Sequence, residues 1–291
     1  MLRRLLLLSA ILLTGQITFA WSGKAPLIDP RLYTQTEDFK SFKADAAELL
    51  NLYRGAAPIQ YRFHYTGTYF AYQDEYVKGN IIYNGKLYSD VLLNLNCHSD
   101  DLQVKIEKSD LIVILNKDFV NSFSIGNHYY INIGRRATGN VYLPGSNEDE
   151  RMEGVERGFI DESLPAGYYE VMYDGEMKLL KKTKKTYGER INQSAGTDPK
   201  SAIERSFSTT YSYYLVTEAR ERIGKGANAS YITKPMLKSI KRRSSLIASL
   251  PERRGEVRGY LRRINIDYMN RDLVYPTILR YYEGKITNTN N

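Results

Sequence analysis

The sequence predicts an α+β fold, in which an antiparallel β sandwich, or a small barrel or rolled sheet, lies between an N-terminal helix and a C-terminal helical tail. Three observations support this prediction. Apolar and polar residues alternate over short stretches between residues 59 and 218, turn dipeptides separate these stretches, and apolar spacings of three and four residues are confined to the two ends. Tyrosine, which favours strands, occurs 25 times.

A cleavable export signal is predicted over residues 1–20. Arg3 and Arg4 form the basic n-region, an apolar run follows to Leu13, and the segment ends at Ala20. No cysteine near this position could carry a lipid, and no later apolar stretch approaches the ~18 residues of a membrane helix. We therefore expect an extracytoplasmic protein, in the periplasm or associated with the outer membrane, with no transmembrane segment after signal removal.

Residues 21–58 are predicted to form an N-terminal segment with one helix, over residues 36–54. The apolar residues of this stretch recur at spacings of three and four, Thr36 is a suitable cap for its start, and Gly55 follows its end. Pro58 then closes the segment.

Residues 59–218 are predicted to form the antiparallel β domain. Its first strand pattern is the alternation from Tyr61 to Tyr65. Asn84-Gly85 lies between two further strand patterns and is the strongest short-range hairpin signal. Gly126-Asn127 and Asp174-Gly175 indicate two more hairpins of the same kind.

Two stretches of the β domain are predicted to be long loops, residues 134–166 and residues 186–208. The first contains five glycines and two prolines around an acidic cluster, and the second is polar, with glycine and proline. Both compositions are typical of turns and irregular structure. A strand pattern around Tyr211 and Tyr213 is expected to complete the sheet.

Residues 219–291 are predicted to form a basic, helical C-terminal region. The apolar residues from Met236 to Leu250 fit one helix, and those from Val257 to Ile264 form the stripe of a second. A last helix carries the apolar residues from Val274 to Tyr282, and Pro276 must lie early in it or kink it.

The charge of the chain changes sign along its length. Residues 21–175 carry 15 Lys and Arg against 22 Asp and Glu, whereas residues 176–291 carry 24 against 11. The basic residues concentrate in the helical region, where Arg254, Arg258 and Arg262 form a row at i, i+4 and i+8. The candidate residues for anion or partner binding are Lys238, Lys241, Arg242, Arg243, Arg254, Arg258 and Arg262.

Two interpretations of these basic residues stay open. They form either a solvated face that balances an acidic β domain, or a docking surface for an anionic partner. The partners considered are lipid A phosphate, an acidic glycan and an acidic protein patch. Because the chain is expected to be exported, nucleic acid is not an expected partner.

No catalytic, cofactor or metal-binding motif is recognised in the sequence, so no cofactor and no metal are expected. The single cysteine, Cys97, excludes an intramolecular disulfide, and its position on the apolar face of a strand pattern predicts a buried thiol. The expected function is therefore that of a non-enzymatic, exported cell-envelope protein with a binding or accessory role toward a protein partner or a glycan. The alternative is a hydrolase that acts on envelope polysaccharide with two carboxylates about 5–10 Å apart.

Four segments of the chain resemble exported β-rich proteins of unassigned activity from Bacteroidota-type cell envelopes. The segments are residues 83–93, residues 101–104, residues 119–123 and residues 237–243. Such proteins join a β-rich body to a short basic helical tail, and the likeness covers roughly residues 60–285. The chain departs from the pattern at Cys97-His98-Ser99. The resemblance implies an envelope location and supplies no catalytic residue.

We predict that the mature protein begins near Trp21 and is found outside the cytoplasm without an attached lipid. The physical basis is the basic, apolar and small-residue order of residues 1–20. N-terminal sequencing of the protein from fractionated cells checks this, and an intact Met1 in the cytoplasmic fraction would contradict it.

Overall fold

The computed structural model describes most of the chain from Asp29 to Gly284. The described ranges are residues 29–32, 51–107, 109–133, 164–191, 203–223 and 230–284. The export signal and most of the helix predicted over residues 36–54 lie outside these ranges, and residues Asn51–Tyr53 form a short 3-10 turn. Most of the loop predicted over residues 134–166 also lies outside them.

The described residues form ten strands in one antiparallel sheet. The strands are β1 (Val77–Tyr83), β2 (Lys86–Asn96), β3 (Asp101–Lys105), β4 (Ile112–Ile114), β5 (Val120–Ile125), β6 (His128–Ile133), β7 (Gly167–Asp174), β8 (Lys178–Ile191), β9 (Ile203–Ile223) and β10 (Ser230–Ile240). Their order is β10-β9-β8-β7-β6-β5-β1-β2-β3-β4. The predicted α+β fold is confirmed, and its sheet is not closed.

The sheet curls, so that β2 reaches β8 although four strands separate them in the hydrogen-bonding order. The Lys185 backbone N–H donates to the Cys97 carbonyl oxygen over 3.1 Å. The His98 Nδ1 atom lies 3.1 Å from the Lys185 carbonyl oxygen. Of the β architectures that the sequence left open, an unclosed rolled sheet therefore describes the structure.

All three predicted hairpins are confirmed. The turn between β1 and β2 places Asn84 at φ 48° and Gly85 at φ 74°. Positive φ at both central residues is the requirement that makes Asn-Gly the preferred two-residue hairpin turn. Gly126 adopts φ 56° between β5 and β6, and β7 pairs with β8 across the turn at Gly175.

Three helices follow the sheet within the described residues: α1 (Arg243–Ser249), α2 (Arg254–Arg263) and α3 (Arg271–Tyr282). The second and third agree with the predicted helices. The side chain of Asn270 caps α3 by accepting a hydrogen bond from the Leu273 backbone N–H over 3.2 Å. Pro276 lies inside α3.

The first predicted tail helix, from Met236 to Leu250, is wrong in its first half. Residues 230–240 form β10, which pairs with β9 from Ser230 to Ile240, and α1 begins only at Arg243. The pattern misleads because Leu237 and Ile240 pack against different core clusters, on opposite faces of the strand. Their spacing of three residues therefore breaks the alternation of a strand and fits a helix equally well. Within the described residues, 219–223 and 230–240 are therefore strand rather than part of a helical tail.

The loop predicted over residues 186–208 is also wrong in its outer parts. Strand β8 continues to Ile191 and β9 begins at Ile203, and the two pair in register as far as these residues. Most side chains of this two-stranded arm are exposed. Because so little of the arm is covered, its residues need not alternate between apolar and polar, and the strand pattern is lost. The stretch from Tyr61 to Tyr65, predicted as a strand, is irregular in the structure.

Two core clusters occupy opposite faces of the sheet, and a third lies between the sheet and the helices. The first includes Phe123 and Tyr130, and the second includes Tyr129 and Tyr169. Tyr129 and Tyr130 are adjacent in β6 and therefore point to opposite faces. The third cluster joins Leu179 and Leu215 of the sheet to buried residues of all three helices.

We predict that Gly79→Ala lowers the free energy of unfolding by about 1–3 kcal/mol, because the added methyl group would overlap the Ser124 carbonyl oxygen on the paired strand. Gly188→Ala is the matched control, since a Cβ at that strand position meets no atom within 4 Å. Urea unfolding followed by circular dichroism measures both. Equal unfolding midpoints for the two variants would contradict the prediction.

Candidate functional site

The seven basic candidate residues lie on three kinds of element rather than on two helices. Lys238 is on β10, Lys241 and Arg242 lie in the connection to α1, and Arg243 begins α1. The other three are on α2, as predicted. The side chains of all seven are exposed.

The arginine row of α2 lies on a helix that is firmly packed on its other side. Val257, Tyr260 and Leu261 are at most 9% exposed and belong to the core cluster between helices and sheet. Because a helix rises about 1.5 Å per residue, Arg254, Arg258 and Arg262 succeed one another about every 6 Å along one face. The exposed row is therefore held in a fixed direction.

The structure provides these basic side chains with few internal partners. Within the described ranges, no carboxylate lies within ion-pair distance of any of the seven residues. Glu256, the acidic residue of α2, instead pairs with Arg253 over 2.9 Å. Arg254 Nε donates to the Leu250 carbonyl oxygen over 2.7 Å, and the Arg243 guanidinium lies 4.3 Å from the ring centre of Tyr268. As far as the described residues extend, their positive charge is not neutralised by the β domain.

In the ion pair that joins the helices to the sheet, the cation lies on the sheet and the carboxylate lies on a helix. Lys181 of β8 binds Asp272 of α3, with 2.8 Å between Nζ and Oδ2. The same ammonium group lies 2.8 Å from Oε2 of Glu170 on β7. Lys181 and Glu170 are 2% and 5% exposed in their side chains, so this is a buried charged cluster that the sequence did not predict.

The register of the sheet assembles this cluster. Four neighbouring strands each contribute one residue to a row that lies on one face of the sheet. The residues are Tyr130 of β6, Glu170 of β7, Lys181 of β8 and Tyr213 of β9, and each is the register partner of the next. The Tyr213 hydroxyl donates to Asp272 Oδ1 over 2.8 Å. We call this set, Tyr130, Glu170, Lys181, Tyr213 and Asp272, the charge ladder.

Three side chains border the ladder at the protein surface: His128, Tyr72 and Tyr211. His128 Nδ1 lies 2.6 Å from Glu170 Oε1, and the imidazole stacks on the ring of Tyr72 with 3.8 Å between ring centres. Tyr72 and Tyr211 flank the Lys181 ammonium at 5.7 and 5.2 Å from their ring centres. Their negative ring faces favour the charged form of the lysine.

The ladder holds its two central groups in their charged states. Burial by itself would raise the pKa of Glu170, but His128 and Lys181 outweigh it and the pKa is lowered. Burial would lower the pKa of Lys181, but Glu170 and Asp272 outweigh it and the pKa is raised. The stability that Glu170 contributes is thus lost as pH falls through its lowered pKa, and that of Lys181 is lost as pH rises through its raised pKa. Neither group has the pKa near 7 that favours proton transfer.

The other candidate chemical groups are unsuited to catalysis or metal binding. Cys97 is 5% exposed, as predicted, and burial raises the pKa of its thiol to about 12, which suppresses the reactive thiolate. Among the described residues, no three His, Cys, Asp or Glu side chains are grouped in a way that could hold a metal ion.

Among the described tyrosines, some lie in the core and others belong to a half-exposed aromatic cluster. In that cluster Tyr61, Tyr65 and Tyr69 pack around Phe207 of β9, with ring centres 5.2–5.5 Å from that of Phe207. The contacts are mainly edge-to-face, so the rings pack against one another and fasten the irregular segment to the β8–β9 arm. Tyr83, Tyr130, Tyr169 and Tyr275 are instead at most 4% exposed, so these tyrosines contribute to the core.

Comparisons of the chain with protein-family models, curated proteins and solved structures found no match. In the part of the chain that the structure describes, no helix combines the length and apolar character needed to cross a membrane.

We predict that Lys181→Met lowers the free energy of unfolding by about 3–5 kcal/mol, because it leaves the Glu170 carboxylate buried beside Asp272 without its cation. Lys184→Met, on the same strand but exposed, should change it by about 0–1 kcal/mol. Urea unfolding at pH 7 provides both values.

A double-mutant cycle isolates the contribution of the pair. Adding Glu170→Gln to Lys181→Met should destabilise the protein by less than the sum of the two single changes, because the charge left unpaired is then removed. Strict additivity of the two changes would contradict an interaction between these side chains.

Proposed function

We propose that this protein is an exported, non-enzymatic cell-envelope protein that binds an anionic envelope component through its C-terminal basic surface. We define the basic surface as Lys238, Lys241, Arg242, Arg243, Arg254, Arg258 and Arg262. The observation that carries the proposal is the exposed arginine row of α2, which has no carboxylate partner among the described residues and lies on a helix anchored in the core. Export itself rests on the signal in residues 1–20.

The geometry of the row favours a partner with several negative charges. Arginine binds phosphate and carboxylate groups through a planar, always charged fork of donors. A spacing of about 6 Å between successive residues is shorter than the Debye length of about 8 Å at physiological ionic strength, so the arginines act together on one partner. Lipid A phosphate, an acidic glycan and an acidic protein patch all meet this requirement.

The alternative function, hydrolysis of envelope polysaccharide, has less support. Glu170 and Asp272, two carboxylates that meet in the described part of the chain, both bind the Lys181 ammonium, which lies between them. A general acid needs a raised pKa, whereas the pKa of Glu170 is lowered. This arrangement supports a role for the ladder in stability rather than in sugar chemistry.

The test replaces Arg254, Arg258 and Arg262 together with Glu in the mature protein. Co-sedimentation with isolated cell envelopes should weaken at least tenfold, since several charges that act together are reversed. Wild-type binding should fall steeply with added salt. The fold should persist, because single exposed charges contribute only about 0–1 kcal/mol to stability.

A second triple variant tests whether binding depends on the basic surface itself or only on the net charge of the protein. Arg54→Glu, Arg62→Glu and Lys86→Glu reverse three other exposed basic residues, which also have no ion-pair partner within the described ranges. This control should bind envelopes as the wild type does. Equal loss of binding in both triple variants would contradict the proposal. So would unchanged binding of the α2 variant with a lowered melting temperature, which would make the row a structural counter-charge.

A further inference from the structure

Exposed apolar side chains lie where the basic helix α2 turns into α3. Met269, in the connecting loop, is 88% exposed, and Tyr268 beside it is 43% exposed. Leu273, in the first turn of α3, is 48% exposed. Single exposed apolar residues are common on protein surfaces, but three within six residues at one turn form a local apolar tip.

The apolar tip is held in place by hydrogen bonds. The Met269 backbone N–H donates to Asp267 Oδ1 over 2.9 Å, and the Asn270 N–H donates to the Asp267 carbonyl oxygen over 3.1 Å. The Tyr268 hydroxyl donates to the carbonyl oxygen of Leu261, at the end of the buried face of α2. The exposure of Met269 is thus a property of an ordered turn, and little conformational entropy would be lost when it binds.

Basic side chains surround the tip. Arg262 lies in the last turn of α2 and Arg271 begins α3, so exposed arginines precede and follow the loop. The Arg243 guanidinium stacks on the Tyr268 ring at 4.3 Å. Asp267 is the acidic residue of the loop itself, and its side chain accepts the Met269 N–H. The second acidic residue nearby, Asp272, is engaged by Lys181 and Tyr213.

We propose that this tip enters the headgroup region of an anionic lipid bilayer, so that the partner of the basic surface is a lipid membrane surface. This inference rests on the proposed function and names its partner. Arginine contacts lipid phosphates, tyrosine prefers the headgroup level, and the Met and Leu side chains reach the acyl boundary.

The apolar tip distinguishes a membrane from an acidic glycan. A hydrated acidic glycan gains nothing from a nearly fully exposed thioether, because both would have to lose water without an apolar contact in return. At a lipid surface, the phosphates bind the arginines while the acyl chains bury the apolar side chains of the tip.

The test uses the mature protein and vesicles of phosphatidylglycerol and phosphatidylcholine in equal amounts, with pure phosphatidylcholine as the neutral comparison. Met269→Ser with Leu273→Ser should weaken partition onto the anionic vesicles about tenfold or more, because two apolar side chains lose their burial. Ile59→Ser with Leu111→Ser is the matched control, since these residues are 81% and 63% exposed outside the helical region. This control should bind as the wild type does.

A second measurement reports insertion directly. The chain has one tryptophan, Trp21, so Met269→Trp in a Trp21→Phe background places a single fluorophore at the tip. Its emission should shift to the blue on anionic vesicles and be quenched by brominated acyl chains. An unchanged spectrum in the vesicle-bound protein would overturn insertion.

The two proposals fail in different ways. If the arginine triple variant leaves the anionic vesicles but the tip variant binds as the wild type does, the contact is purely electrostatic and the inference of insertion is wrong, while the proposed function stands. If the wild type binds isolated envelopes but neither vesicle, its partner is not a phospholipid bilayer, and the inference that the tip enters one is overturned. If the arginine triple variant still binds envelopes fully, the proposed function itself fails.

Discussion

The buried Lys181 ammonium fixes α3 against the sheet, because Glu170 of β7 and Asp272 of α3 both bind it at 2.8 Å. Two charges that are almost fully buried are tolerated only when each is paired and hydrogen bonded, and the ladder meets this condition. Tyr213 donates to the far oxygen of Asp272, and His128 lies 2.6 Å from the second oxygen of Glu170. The ladder therefore selects one register of β7, β8 and β9 and one position of α3. An apolar core could provide similar stability without this specificity, because hydrophobic contacts are not directional.

The position of α3 in turn decides what the protein presents to its surroundings. Tyr275, Ile278 and Leu279 of α3 pack into the cluster that also buries Val257 and Leu261 of α2. The exposed arginine row therefore has a fixed orientation relative to the sheet. Glu283, just after α3, accepts hydrogen bonds from the Tyr173 hydroxyl over 2.5 Å and the Met177 backbone N–H over 2.9 Å, which attaches the end of the helix to the β7–β8 hairpin. The direction of the α2 arginine row and the position of the apolar tip both follow from this attachment.

The ion pair between sheet and helices does not follow the charge asymmetry of the sequence. An acidic front half and a basic back half suggest that the two halves attract each other. In the described structure the attraction runs from a lysine of the sheet to an aspartate of the helices, and Lys182 of the sheet pairs with Asp100 within the β region at 2.7 Å. The excess arginines of α2 remain at the surface. A charge that the fold does not use internally is available for a partner, which is why the surface carries the functional proposal.

The sequence by itself determined the features that depend on neighbours along the chain. Asn84-Gly85 specified its hairpin through backbone conformation, Cys97 was placed on a buried face by alternation, and the stripe from Val257 to Ile264 specified α2. It misassigned β10 because Leu237 and Ile240 pack on opposite faces of the strand at a spacing that also fits a helix. It misassigned the ends of β8 and β9 because most side chains of that arm are exposed and need not alternate. The charge ladder was decided only by the tertiary structure. Glu170, Lys181 and Asp272 are distant in the chain, and only strand register and helix packing bring their charges within 2.8 Å, where burial makes each dependent on the others.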